Sequence, residues 1–334
     1  MVEETEMKQV ERFTSEMSFD KETGCDIAFL EHVVEYPKHC KSVGIVPKLG
    51  SILYSFKLGD HEVMLQPPDL CDLRYRKYGA PVLYPTPGRV RNGQFTFDHK
   101  TYKFTPNMNG HFIHGFVYGV QWYFNKPKST DAGAEFRTFI DIEPGEALYM
   151  LWPFRHRISQ KYLLNRDGLT ITFAVENFDT RPIPFGFALH PFFNVMGTKA
   201  NTWLTVPARK QMELQDLMPT GKLQDMDHAS PDIRQQSKLS DLDLDDVYWG
   251  LGPDRTSWWE ARDVGIRFTM QASEEFQYMV VYTRPDGCFC MENQTCSPDA
   301  HNLYAQGFEK ESGLMVVEPG QERKMWIRYN ISYI

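Results

Sequence analysis

SVGIVPKLGSILYSFKLGDHEVM, residues 42–64, decides the class of fold. Ile52, Tyr54, Phe56 and Leu58 fall on alternate positions, and Gly59-Asp60 breaks the run before a second short apolar stretch. Successive side chains of a strand point to opposite faces, so the alternation buries one face and predicts a β-hairpin. The same alternation returns in LTITFAVENF (169–178), where Leu169, Ile171, Phe173 and Val175 share a side. VGIRFTMQA (264–272), FQYMVVYT (276–283) and KMWIRYNISYI (324–334) repeat it. Turn signals lie between such runs: Asn92-Gly93, Asp167-Gly168 and Asp286-Gly287. Many short strands, frequent turns and few long helical patterns predict an all-β fold, a large antiparallel β-sandwich with few short helices. No segment repeats at a fixed period, which disfavours a propeller.

A chain of 334 residues is long enough for two ordinary domains or one large β domain. The reading here is one domain over 25–334, preceded by a polar arm or short helix over 1–24. In that arm Met7, Val10, Phe13 and Met17 fall near helical spacing. The polar segment from Gln211 to Ser240 is read as a long loop over the sandwich, because strand texture resumes after it.

The formal net charge of −8, with no run or stripe of Lys and Arg, argues against a nucleic-acid partner. The N-terminus MVEETEMKQVERF has no apolar core of a leader, and no uncharged apolar run approaches a membrane span. No membrane partner is expected. Cys25, Cys40, Cys71, Cys288, Cys290 and Cys296 are too few in so long a chain for a disulfide framework, which fits a reducing, cytoplasmic setting. Cys288, Cys290 and Cys296 lack zinc-site spacing and are read as core thiols; no metal is expected.

PFGFALHPFFN, residues 184–194, sets one histidine, His190, in a dense aromatic run. Such a run cannot face water on both sides, so the imidazole belongs either to the core or to the floor of an apolar pocket. Arg89 in PGRVRNGQF, His114 in HFIHGF, Asp245 in LDLDDVYWG and Glu292 in CFCMENQTCSPDAHN are similarly embedded. A glutamate and a histidine at the end of a cleft form a general acid and base whose pKa values burial can push toward neutrality. Arg89 offers a planar fork for oxygens, and Asp245 accepts from hydroxyls. Trp122, Trp152, Trp249, Trp258 and Trp259 are candidates for a stacking wall. Each has a plainer alternative: Arg89 a surface ion pair, Asp245 a turn carboxylate, Glu292 a strand-end charge, the tryptophans core. No phosphate loop, H-E-x-x-H or G-x-S-x-G motif is present, which removes support for nucleotide hydrolysis, zinc proteolysis and α/β-hydrolase chemistry. A glycosidase pair such as Asp245 with Glu292 stays open.

The order of these segments resembles the aldose 1-epimerase (galactose mutarotase-like) superfamily from about residue 42 to the C-terminus. Residues 45–64 resemble its opening strands, GRVRNGQFTFDHKTYKF its arginine segment, and HFIHGF and PFGFALHPFFN its two histidine segments. LDLDDVYWG resembles the aspartate segment, VVYTRPDGCFCMENQTCSPDAHN the glutamate segment, and VVEPGQERKMWIRY the closing strand. The resemblance implies a galactose mutarotase-like β-sandwich that takes a monosaccharide without metal or organic cofactor, as a monomer or homodimer. It further implies an isomerase in which Glu292 is the base on the anomeric hydroxyl, His190 the acid on the ring oxygen, and His114 a hydrogen-bonding assistant. Arg89, Asp245 and Gln294 bind the substrate, with Arg91 the rival to Arg89. His114-Gly115-Phe116 replaces the usual His-Gly-Gly, and the TPGRVRNG phrasing resembles less studied bacterial branches. Two further readings stand beside the free-aldose epimerase. One is a hexose-6-phosphate anomerase using Arg74, Arg76, Arg155 and Arg157; the other is a carbohydrate-binding or sensing protein without turnover.

Overall fold

A computed structural model describes residues 10–36, 38–251 and 254–334. The alternating runs of the sequence become strands, and most of them join two antiparallel sheets. The first run forms the hairpin expected of it: Ile52–Leu58 pairs with His61–Glu62 across Gly59-Asp60, with Leu58 opposite His61. Gly59 adopts a φ of 58° there, a left-handed geometry that glycine adopts without steric penalty. This hairpin ends a five-stranded sheet built in chain order from Glu11–Asp20, Cys25–Val34 and His39–Val46.

The larger sheet has ten strands. At its centre Gly168–Asn177 pairs with both His156–Asn165 and the closing strand Glu322–Tyr333, which in turn pairs with Ile266–Ala272. The second large sheet has eight strands, in which Lys210–Gln215, Asp245–Trp249, Tyr278–Thr283 and Cys288–Gln294 lie side by side. Ala188–Leu189 then joins Cys288–Gln294 to Val82–Leu83.

Rings from both sheets interlock in the core. Phe173 of the larger sheet stacks on Phe187 at 3.8 Å and 14°. Phe193 and Phe289 of the smaller sheet meet Trp259 of the larger at 5.3 and 5.5 Å. Such ring pairs add packing energy beyond the area they bury. Helices are short: Ala147–Leu151, Ala300–Ala305 and Glu309–Ser312. Among the described residues no helix is long and apolar enough to cross a membrane.

Two expectations are corrected. Glu11–Asp20 is a strand, paired residue by residue with Cys25–Val34, rather than a helix. Phe13 and Met17 share parity and therefore a strand face, whereas Val10 is exposed. Met7 lies outside the described residues. The polar stretch from Gln211 contains a hairpin, not only a loop: Lys210–Gln215 pairs with Met218–Asp225, and its inner strand joins Asp245–Trp249. Its polar composition reflects an exposed edge, where one side of each strand meets water.

Candidate active site

Strand Cys288–Gln294 is buried along its whole length near the middle of the eight-stranded sheet. Its side chains alternate, so Phe289, Met291 and Asn293 turn one way and Cys288, Cys290, Glu292 and Gln294 the other. Register sets their neighbours. Val247 opposes Val280, and Val280 opposes Glu292; in the adjacent row Asp245 opposes Tyr282. Opposed residues of antiparallel strands share a face, so these side chains make one floor. The floor belongs to a cavity of about 330 Å³ that Arg89, His114, His190 and Gln294 also line.

His190 reaches Glu292 through the same register. Ala188 opposes Gln294 and Phe192 opposes Cys290, so His190, midway between, falls level with Glu292. Its Nε2 stands 3.3 Å from Glu292 Oε1. The imidazole stacks on Phe192 at 4.4 Å and 12°, and its amide donates to the Pro81 carbonyl. Gln294 Nε2 donates to the other Glu292 oxygen at 2.9 Å.

Burial pushes the Glu292 carboxyl up to about 8, aided by the negative Asp245, while the Gln294 hydrogen bond and Arg89 pull it down. Burial likewise pushes His190 down to about 3, and the positive charges of Arg76 and Arg284 act in the same direction. The carboxylate is thereby a stronger base than a free one, and the imidazolium a stronger acid.

His114 enters from a connection with unusual backbone geometry. It has a φ of 72°, and Gly115 follows at 71°. A Cβ on Gly115 would lie 2.0 Å from the Tyr84 carbonyl oxygen, so only glycine permits this approach. The His114 amide donates to Gly88 O, and its ring meets that of His190 edge-on at 5.1 Å. Burial, together with His190, Arg76 and Arg89, holds His114 well below the usual histidine range, hence neutral.

Arg89 pairs in register with Ile113, and its Nη2 lies 3.5 Å from Asp245 Oδ2. Asp245, not Asp246, faces the cavity; Asp246 turns away to accept from Gln211 Nε2. The structure also separates the two arginines. Arg91 lies outside this cavity, with its Nε 3.4 Å from Asp299 Oδ2.

The tryptophan wall does not form. Trp122, Trp152 and Trp259 are fully buried in the core, and none of the five lines the cavity. Tyr282 and the apolar Leu214, Leu217 and Met108 line the cavity instead. Sequence reasoning missed them because their place depends on inter-strand register and on a hairpin tip. Parity with Val280 in FQYMVVYT was the one available signal for Tyr282. None of Arg74, Arg76, Arg155 and Arg157 lines the cavity either. Arg155 pairs with Glu143 and Arg157 with Asp141, while Arg76 stacks on Tyr118 and donates to Ile113 O. Among the described residues no group of three or more His, Cys, Asp or Glu side chains is placed to hold a metal ion.

The profile of a family described as aldose 1-epimerase matches residues 36–330. Galactose mutarotase of Bos taurus is 25% identical over 173 residues, 50% of this chain and 48% of that protein. The uncharacterized protein YphB of Escherichia coli K12 is 27% identical over 113 residues, 33% of this chain and 35% of its own length. The chain thus spans about half or less of the length of these curated relatives. A solved galactose mutarotase-like protein from Clostridium acetobutylicum superposes with a TM-score of 0.85 at 20% identity, covering 97% of this chain and 99% of that one. Galactose 1-epimerase from Lactobacillus acidophilus NCFM superposes at 0.74 and 14% identity, with the same coverages. At such identities the structural likeness concerns the fold.

Proposed function

This chain belongs to the aldose 1-epimerase family, and from that premise we propose that it interconverts the α and β anomers of a free aldose. The observation that carries the proposal is the His190–Glu292 contact of 3.3 Å on the floor of a cavity that also holds Arg89 and Asp245.

The pair carries one transferable proton, which rests on Glu292 because burial raises the carboxyl and lowers the imidazole. Its shift to His190 across the 3.3 Å contact leaves Glu292 a carboxylate that takes the proton of the anomeric hydroxyl. The C1–O5 bond breaks as C1=O1 forms, and the ring oxygen takes the proton of His190. Rotation about C1–C2 presents the other face of the aldehyde, and the transfers reverse on closure, so neither protons nor electrons are gained or lost overall. Neutral His114, beside His190, hydrogen-bonds the sugar as charge develops. Arg89, Asp245 and Gln294 hold hydroxyl groups, and Tyr282 with the valine floor receives the ring's apolar face. Positioned acid and base groups contribute about 10²–10⁴-fold each, and ring opening of a hemiacetal needs little more.

A free aldose is favoured over a sugar phosphate. Arg89 is the one arginine in the cavity lining, and it already faces Asp245. The six cysteines are free thiols, in keeping with the reducing, cytoplasmic setting proposed from their number.

Proton NMR of anomer exchange tests the reading, with wild type and Glu292→Gln compared across neutral aldoses and their 6-phosphates. Acceleration of at least one neutral aldose, lost in the variant, is expected. A folded wild type that accelerates none of them overturns the proposal.

A further inference from the structure

A second cavity, of about 590 Å³, adjoins the first, and nothing in the chemistry proposed so far uses it. The two share no lining residue, yet the same four chain segments wall both. Arg89 lines the first and Arg91 the second. Leu214 and Leu217 line the first, while Gln215, Asp216 and Thr220 line the second. Pro298 and Asp299 divide in the same way, as do Met108 and His111. The second cavity takes no residue from strand Cys288–Gln294 or from the His190 segment, so it lies off the Arg89 side of the site, away from the acid and base.

The hairpin tip that lines both is strained. The hairpin of Lys210–Gln215 and Met218–Asp225 closes with Gln215 opposite Met218, leaving Asp216 and Leu217 as a two-residue turn. Their φ values are 51° and 61°. Such turns ordinarily take Asn-Gly or Asp-Gly, and a leucine at positive φ is rare. Strained backbone persists where the surroundings fix it, often beside ligands. Here its consequence is that Leu217 presents an apolar edge to the first cavity and Asp216 a carboxylate to the second.

Hydrogen bonds also fix polar groups that line the second cavity. Asp299 Oδ1 accepts the Arg91 amide at 2.9 Å and Asn302 Nδ2 at 2.7 Å, and its Oδ2 faces the guanidinium. His111 Nδ1 accepts the Asn92 amide at 3.1 Å, which leaves Nε2 as the protonated donor of the neutral ring. The lining thus mixes donors (Arg91, His111, the Gln306 side-chain amide) with carboxylate acceptors (Asp216, Asp299) and has no excess of cations. That mixture suits a neutral polyhydroxylated ring, whose hydroxyls both donate and accept, and does not suit a phosphate.

We propose that the two adjoining cavities form a two-ring site, so that the preferred substrate is a reducing disaccharide or longer saccharide. Its reducing-end ring sits over Glu292 and His190, and its next sugar ring lies between Arg91, His111 and Asp216. The proposal rests on the anomerase reading of the first cavity and names the substrate class for it.

Anomer-exchange rates of glucose and galactose are compared with those of maltose, lactose and other reducing disaccharides, for wild type, Arg91→Ala and Thr220→Trp, the last filling the second cavity. At least one disaccharide is expected to exceed its own reducing-end monosaccharide about tenfold or more in kcat/KM, an advantage of about 1.4 kcal/mol, and both variants should remove that excess. Disaccharides no better than monosaccharides, or an excess that survives both variants, overturns the proposal while leaving the anomerase reading intact. If wild type accelerates no sugar, the anomerase reading fails, and calorimetric binding of the same sugars decides the two-ring site. Tighter binding of a disaccharide, lost in both variants, supports it; equal or absent binding overturns it.

Discussion

His190 Nε2 lies 3.3 Å from Glu292 Oε1, and both side chains are more than nine-tenths buried. Two ionisable groups so close and so dry act as one proton-holding unit, and removing either leaves the other without its partner. Glu292→Gln and His190→Asn should each lower the enzyme-catalysed anomer-exchange rate by about 10²–10⁴-fold. Combining them should cost far less than the product of the two losses, since residues acting as a unit are non-additive. Full multiplicativity, measured by NMR exchange, would show that the two act independently.

Glu292 also sets a sign for stability against pH. Burial raises its folded value from 4.5 to about 8, so the folded state holds the proton more tightly than the unfolded chain. The stabilisation tied to that proton is present below 4.5 and is lost as pH rises through about 8. Glu292→Gln removes the titration. The variant's Tm should therefore exceed that of wild type at about pH 9, with the gap closing toward about pH 4. Calorimetry showing wild type the more stable at the alkaline end would refute this.

The opposite sign holds for the buried histidines outside the cavity. Burial pushes His156 and His301 down from 6.5 to about 4, so the unfolded chain binds protons first. Their contribution is present above 6.5 and is lost as pH falls through about 4. His156 sits between Tyr84 Oη and Phe154 O, each at 2.8 Å. His156→Gln should flatten the fall of Tm over that acid window, whatever its effect at neutral pH. An unchanged slope counts against the account.

Gly115 is required by the close approach of Tyr84. With its φ at 71° and the Tyr84 oxygen where a Cβ would stand, Gly115→Ala should destabilise the fold by more than about 1 kcal/mol. It should also lower activity by displacing His114. A variant with unchanged Tm would mean that the connection relaxes freely.

Arg89 and Asp245, 3.5 Å apart, should govern binding more than chemistry. Asp245→Asn and Arg89→Ala are expected to raise KM about tenfold to a hundredfold, the worth of a hydrogen bond to a charged group, with smaller effects on kcat. A change confined to kcat would move these residues into the proton-transfer step.

The residues proposed for the site stood out in the sequence because each sits in a distinctive local setting. His190 lies among aromatics, Glu292 follows an alternating apolar run, and Arg89 and His114 lie in glycine-marked segments. The choice of Asp245 over Asp246 was legible only as a likeness to a known segment; in the fold it follows from parity on one strand. Arg89 and Arg91 could not be separated, because that choice depends on where the Asp299 carboxylate lies. The tryptophans misled, since a large ring suits a core as well as a sugar wall and composition does not distinguish the two.

By itself the sequence determined the all-β class, through period-two alternation, and the identities of the candidate acid, base and binding groups, through their local settings. Both are properties of neighbours along the chain. Tertiary structure alone decided that Ala188 opposes Gln294 and Phe192 opposes Cys290, which brings His190 level with Glu292. It also decided that the hairpin tip Asp216-Leu217 lines one cavity with Leu217 and its neighbour with Asp216. Those facts arise from register between strands distant in sequence, where a slip of one residue turns every side chain to the opposite face.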